Sequence, residues 1–254
     1  MSFRELVDAL LDVRVIYVGE SHGHPPDHDL QGRIAAALYE RSPSLGVGLE
    51  MIQTPFQPVA DAWVRGELSE EEFLQQTEWE ERWGGDFASY RRPVVLCRDQ
   101  GLPLVALNAP KEITRTVGRE GLDGLSDEQR TALPELDLEV APHRAMIMEA
   151  LGGHPGMDGE VENPRLERFY VAQVIWDETM AESVARVMNR EDAPERMVVL
   201  AGGMHVRRGL GIPMRAARRG AEPFVTILPV DPRELEEQDE PLADYLWVRP
   251  NPER

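Results

Sequence analysis

The chain has a single cysteine, Cys97, which excludes an intramolecular disulfide and any cysteine-based zinc site. Set in VVLCRD on an amphipathic pattern, it reads as a small buried apolar residue. No stretch reaches the roughly 18 consecutive apolar residues that a membrane span requires. The opening MSFRELVDALLDVR is interrupted by Arg4, Glu5, Asp8 and Asp12, which does not suit a secretory or lipoprotein leader. The expectation is a cytoplasmic chain without a membrane partner. Positive charge is scarce: 27 Lys and Arg against 46 Asp and Glu give a net charge of −19 and a pI near 4.7. That balance argues against nucleic acid and anionic membrane surfaces as partners, and it favours solubility. The HExxH and Walker A signatures are missing, as are internal repeats and low-complexity tracts.

What remains is a chain of 254 residues, 42% hydrophobic, enough for a substantial core in one domain over 1–254. Five apolar segments predict strands at Arg14–Gly19, Leu45–Met51, Leu102–Ala109, Arg196–Gly203 and Pro223–Val230, with an edge strand in ADYLWVR. Helical patterns lie between them: Ser2–Asp12, Asp27–Tyr39, a segment after Pro55, a capped SEEEFLQQ, Pro110–Gly118, Pro164–Asn189 and a basic stretch near Pro213–Arg219. The alternation predicts an α/β fold with a mostly parallel central sheet flanked by helices. Between Gly121 and Asn163 the composition loosens; GLSDEQRTALPEL and Ala141–Leu151 read as helices, GGHPGMDGEVENP as a linker, and the block as a helical lid insertion. Trp79, Trp83, Phe87 and Tyr90 make 78–101 the most aromatic region, either a packed loop or a pocket wall.

Chemistry concentrates at VIYVGESHGHPPDHDLQ. Glu20, His22, His24 and His28 crowd just past a buried strand, and imidazole suits both proton transfer near neutral pH and metal ligation. In parallel sheets ligands bind at the carboxyl ends of the strands. Those ends carry Glu20 and His22, Glu50, Asn108 and His205, whereas the opposite ends are ordinary. Two carboxylates and two or more imidazoles in one crevice can hold a divalent cation such as Mn, Fe or Zn, or can activate water with one His as general base. Gly202 and Gly203, ahead of His205, allow backbone to approach a ligand and offer N–H groups to an oxyanion. On the long helix Tyr170, Gln173 and Asp177 share one face, which either meets the site or faces solvent. Met146, Met148 and Met157, near His143 and His154, are candidate soft heme contacts, with packing as the plainer reading.

The ordered set VIYVGESHGHPPDHDLQ, VGLEM, WEERWGGDFASYRRPV, PLVALNAP, VAQVIWDETMAESV, VVLAGGMHVRRGLGIPMR and ADYLWV resembles the ChaN-like (DUF399) heme-binding family, which shares a superfamily with Tiki peptidases and erythromycin esterases. The resemblance spans roughly Arg14 to Val248 and is weakest between Gly121 and Asn163. It implies that GE-x-H and G-x-x-H motifs build the pocket: Glu20 with His22, Gly202 with His205, and Glu50 after the second strand. Three uses are implied. The esterase branch makes His22 a general base without metal, and the Tiki branch places a divalent metal on the corresponding residues. The ChaN branch implies heme held by a homodimer through a tyrosine, for which Tyr90 and Tyr170 are candidates. The expected function is heme or iron binding, with hydrolysis of an ester or peptide bond as the alternative.

Overall fold

In the computed structural model, residues 1–152, 163–235 and 240–249 are described. Six strands form one sheet in the order β3-β2-β4-β1-β5-β6, and every neighbouring pair is parallel. The strands are β1 (Val15–Glu20), β2 (Leu45–Gln53), β3 (Leu104–Asn108), β4 (Arg196–Gly202), β5 (Phe224–Val230) and β6 (Tyr245–Val248). The first two are buried along their whole length, which is why they read as unbroken apolar runs.

Alternate side chains of each strand feed two cores. Ile16, Val18, Val47, Leu49, Val198 and Leu200 meet the layer carrying α1 (Phe3–Leu10), α2 (Pro25–Arg41), α3 (Gln57–Val64), α4 (Glu70–Gln76), α5 (Trp79–Arg82) and α6 (Phe87–Gln100). Val15, Tyr17, Val105, Leu107, Met197 and Val199 face the opposite layer, whose principal helix contributes Met180, Val184 and Met188. That layer holds α7 (Lys111–Glu120), α8 (Asp127–Thr131), α9 (Ala141–Gly152), α10 (Pro164–Met188), a one-turn α11 (Gly203–Val206) and α12 (Ile212–Arg218). Cys97 is fully buried on α6. Capping boxes at Ser2, Ser69 and Ser126 set the starts of α1, α4 and α8.

The helical insertion is present as α8 and α9. Only Asp127–Thr131 of GLSDEQRTALPEL is helical, because Pro134 disfavours helical backbone at the residue before it. His143, Met146, Ile147 and Leu151 are buried against the α10 side of the molecule, around Tyr170 and Val174. Most of the GGHPGMDGEVENP segment, with His154 and Met157, lies outside the described residues. Among the described residues no helix is long and apolar enough to cross a membrane.

The chain order matters for the site. From β1 the chain crosses to β2 and β3, then returns to insert β4 between β2 and β1. This reversal splays the connections apart above the carboxyl ends of β1, β2 and β4, where open sheets form their ligand crevice.

Candidate functional site

A cleft of about 350 Å³ opens at that point, lined by His22, Glu50, Gln53, Arg82, Trp83, Asn108, Ala109, Lys111, Thr114, Trp176 and His205. Each residue arrives for a local reason. β1 ends on Glu20, and Gly23, at φ +74°, turns the chain into α2, whose first turn opens with Pro25 and Pro26. His22 is thereby left above the sheet. Glu50 lies within β2, His205 in the turn of α11 after β4, and Lys111 at the start of α7 after β3.

Glu20 does not face the cleft. Its Oε1 accepts from His22 Nδ1 at 2.7 Å and from the Tyr90 hydroxyl at 2.8 Å, while Oε2 accepts from His28 Nδ1 at 2.8 Å. Burial opposes its ionisation, but these hydrogen bonds and the charge of His28 outweigh it and hold the carboxyl below its ordinary range. A carboxylate only accepts, so Nδ1 of His22 carries a proton and Nε2 is turned outward. The His22 side chain is 52% exposed over a fully buried Glu20. The Glu20 hydrogen bond raises the His22 pKa, with burial opposing and the charges of Glu50 and Glu20 assisting.

The opposite half of the site repeats the arrangement. His205 Nδ1 donates to Asp177 Oδ1 at 2.6 Å, and the Gln173 amide lies 3.0 Å from the same nitrogen. Asp177 Oδ2 lies 3.1 Å from His143 Nε2. Burial would lower the His205 pKa, yet Glu50 and Asp177 raise it to about 10, so the ring is an imidazolium at neutral pH. Between the two imidazoles sits Glu50: its Oε1 is 3.4 Å from His205 Nε2 and 4.0 Å from His22 Nε2. Its Oε2 accepts the Gly202 N–H at 2.5 Å. Burial opposes the charge on Glu50, and the two imidazoles with that N–H overcome it. The site is therefore a line of alternating groups, Glu20–His22–Glu50–His205–Asp177, all on the chain's own side chains.

Four residues expected to meet, Glu20, His22, Glu50 and His205, are in one cluster, and Gln173 and Asp177 turn inward to it rather than to solvent. Several details differ from expectation. The Gly202 N–H is engaged by Glu50 and is not free for an oxyanion; a Cβ at Gly202 would sit 2.9 Å from His22 Cε1 and Nε2, so glycine makes room for the ring. Gly203 packs against Leu228 and the Glu20 carbonyl, away from the cleft. Neither tyrosine lines the cleft. Tyr90 is buried with its hydroxyl on Glu20, and burial, with the Glu20 charge, pushes that hydroxyl up. Tyr170 is buried against His143, ring centroids 5.6 Å apart, with its hydroxyl toward the Leu138 carbonyl. Met146 and Met148 pack in the same cluster rather than in the cleft. Among the described residues no three His, Cys, Asp or Glu side chains are placed to hold a metal ion, and both Glu20 oxygens are turned to His22, His28 and Tyr90.

The aromatic segment divides. Trp79 packs on Phe87 and Tyr90 in the core, whereas Trp83 lies edge-on to His22 at 4.9 Å and walls the cleft. Trp176 stands edge-on to His205 at 6.5 Å. Arg82 and Lys111 had no sequence signal, since their place at the rim depends on α5 and α7 converging from either side. Arg82 is paired with Glu78 and Glu112, while Lys111 Nζ donates to the Glu81 carbonyl and pairs with no carboxylate among the described residues.

The structure is similar to ChaN of Campylobacter jejuni, described as showing cofacial heme binding: TM-score 0.75, 18% identity, 97% of this chain and 91% of that one. It is also similar to the erythromycin esterase EreC in its open conformation: TM-score 0.54, 14% identity, 90% of this chain and 72% of that one. At these identities the likeness establishes the fold. A curated relative, RETICULATA-RELATED 5 (chloroplastic) of Arabidopsis thaliana, is 25% identical over 263 positions covering 94% of this chain; the chain spans 34% of that protein's length. Residues 6–216 match the family described as "Haem-binding uptake, Tiki superfamily, ChaN", and the chain belongs to that family.

Proposed function

We propose that the cleft binds heme and that His22 presents the nitrogen facing its iron. The observation carrying this reading is the Glu20–His22 pair: Nδ1 donates to a buried carboxylate at 2.7 Å while Nε2 opens to the cleft. Metal-ligating histidines characteristically donate their second ring nitrogen to a carboxylate in this way, which fixes the ring and raises its basicity. Lys111 puts a positive charge on the facing wall for a ligand carboxylate, and Trp83 and Trp176 give it apolar edges. Bound heme supplies an iron centre for ligand or electron chemistry. The cleft is open, so a second copy of the chain covering the ligand follows naturally, in keeping with the cofacial arrangement named for the C. jejuni relative. His22 is preferred to the two tyrosines because the Tyr90 hydroxyl already donates to Glu20 and Tyr170 is buried beside His143, outside the cleft lining.

One observation favours a second reading, hydrolysis of an ester or peptide bond. Glu50 is held ionised between two imidazoles and His205 is held protonated, which provides a base to take a proton from water and an acid to protonate a leaving group. A single set of preparations separates the two. Hemin titration of the wild-type chain should give a saturable Soret shift and a larger particle on gel filtration. Both are lost in His22→Ala and retained in Tyr90→Phe. Absence of saturable binding removes the heme reading. Ester and peptide-bond turnover present in wild type and abolished in Glu50→Gln establishes hydrolysis, and equal turnover in both discards it.

A further inference from the structure

We propose that Arg249, beyond the residues that match the family, is a positioning residue for His22. The inference rests on the reading above that His22 faces the ligand. His22 sits in the short loop between β1 and α2, where Ser21, His22 and Gly23 are all exposed and the ring meets Trp83 edge-on. Polar contacts fix the loop backbone on either side of that ring. Asp27, in the first turn of α2, is buried to 1% exposure, and its Oδ2 accepts the Ser21 N–H at 2.9 Å while Oδ1 takes His24 Nδ1 at 2.9 Å. Those contacts hold the loop from either side of His22.

A buried carboxylate needs a counter-charge, and the chain supplies it from its far end. Arg249 follows β6, and its own N–H donates to the Val230 carbonyl at the end of β5. Its Nε reaches Asp27 Oδ1 at 2.9 Å and its Nη2 reaches Asp27 Oδ2 at 2.6 Å, a bidentate fork. The same Nη2 donates to the Ser21 hydroxyl at 2.7 Å. Glu234 Oε1 stands 3.9 Å from Nη1 on the other side. One guanidinium therefore ties the edge of the sheet to both the helix that starts the loop's far side and the residue preceding His22. Phosphate-like or substrate contact is not needed for this role; the fork keeps the His22 ring over Glu20 and its outward nitrogen over the cleft.

The test compares wild type with Arg249→Ala and Arg249→Lys in the full chain. Three quantities are read: hemin affinity, the nitrogen-15 NMR signature of the His22 tautomer, and Tm. Arg249→Ala should weaken hemin binding about tenfold, in the range seen when a residue supporting a ligand is removed. It should also turn the single Nδ1–H tautomer of His22 into a mixture, and Tm should fall as well because Asp27 is left buried without its counter-charge, so the tautomer is read at a temperature well below the lowered Tm. Arg249→Lys should recover part of both, since an ammonium meets one carboxylate oxygen but not the fork. Asp27→Ala combined with Arg249→Ala should cost no more affinity than the worse single change, because the two act as a unit. An unaltered His22 tautomer in Arg249→Ala overturns the proposal. If wild-type chain binds no hemin, the heme reading fails, and the tautomer measurement still decides the role of Arg249.

Discussion

Asp177 shows how much of the site depends on a single side chain. It is fully buried, and although burial resists its charge, His205 and His143 hold its carboxyl down at about 2 against an ordinary 3.8. His205 moves the other way, from 6.5 to about 10. The two shifts bound a stability window. The Asp177 contribution is complete above pH 3.8 and is lost as pH falls through about 2; the His205 contribution is complete below pH 6.5 and is lost as pH rises through about 10. Asp177→Asn should destabilise the chain by about 3–5 kcal/mol at neutral pH, the usual cost of leaving a buried charge without its partner. It should also flatten the alkaline decline of stability, since His205 then loses its proton at lower pH. Thermal unfolding across the pH range, with wild type alongside, checks both. At this scale the acids and imidazoles of the strand ends were legible because a parallel sheet delivers its carboxyl termini to one side. Helical spacing put Gln173 and Asp177 on one face but left open whether that face turned to the site or to solvent. The hydrogen bond from Tyr90 to Glu20 was not legible, because nothing local couples residues 70 positions apart. Lys111 and Arg82 were missed for the same reason.

Among the elements, β3 carries a hazard. It is an edge strand, and an edge presents unpaired backbone groups to other chains. Gln57 on α3 covers it: its Oε1 accepts the Ala106 N–H at 2.8 Å and its Nε2 donates to the Leu104 carbonyl at 2.9 Å, so one side-chain amide stands in for a missing strand. Gln57→Ala should cost about 1–3 kcal/mol for the exposed backbone pair and should raise self-association on light scattering, with the cleft chemistry intact. Retained monodispersity and Tm would show the plug to be dispensable. The strands and most helices were legible from hydrophobic period and capping residues. Their order was not: no residue in RMVVLAGG states that it inserts between β1 and β2, yet that insertion brings His205 to Glu50. β2 runs two residues past Met51 to Gln53, which carries Gln53 to the cleft wall.

The whole molecule is strongly anionic, at −19, while the cleft wall carries Lys111, with the neighbouring Arg82 already paired to Glu78 and Glu112. An anionic ligand such as hemin meets long-range repulsion before it meets local attraction, and salt screens the first more than the second, with a Debye length of about 10 Å at 0.1 M. Hemin association should therefore accelerate as salt rises from about 0.01 to 0.1 M, the reverse of the usual steering. Stopped-flow rates at several ionic strengths test this, and rates that fall with salt would place the dominant field at the cleft rather than over the surface. The same wall has a chemical singularity. Lys111 is the only lysine in the chain, and it stands beside the cleft. Acylating reagents that seek primary amines thus meet one side-chain address apart from the chain's amino terminus, and that address reports directly on whether the doorway to the two histidines is open or occupied.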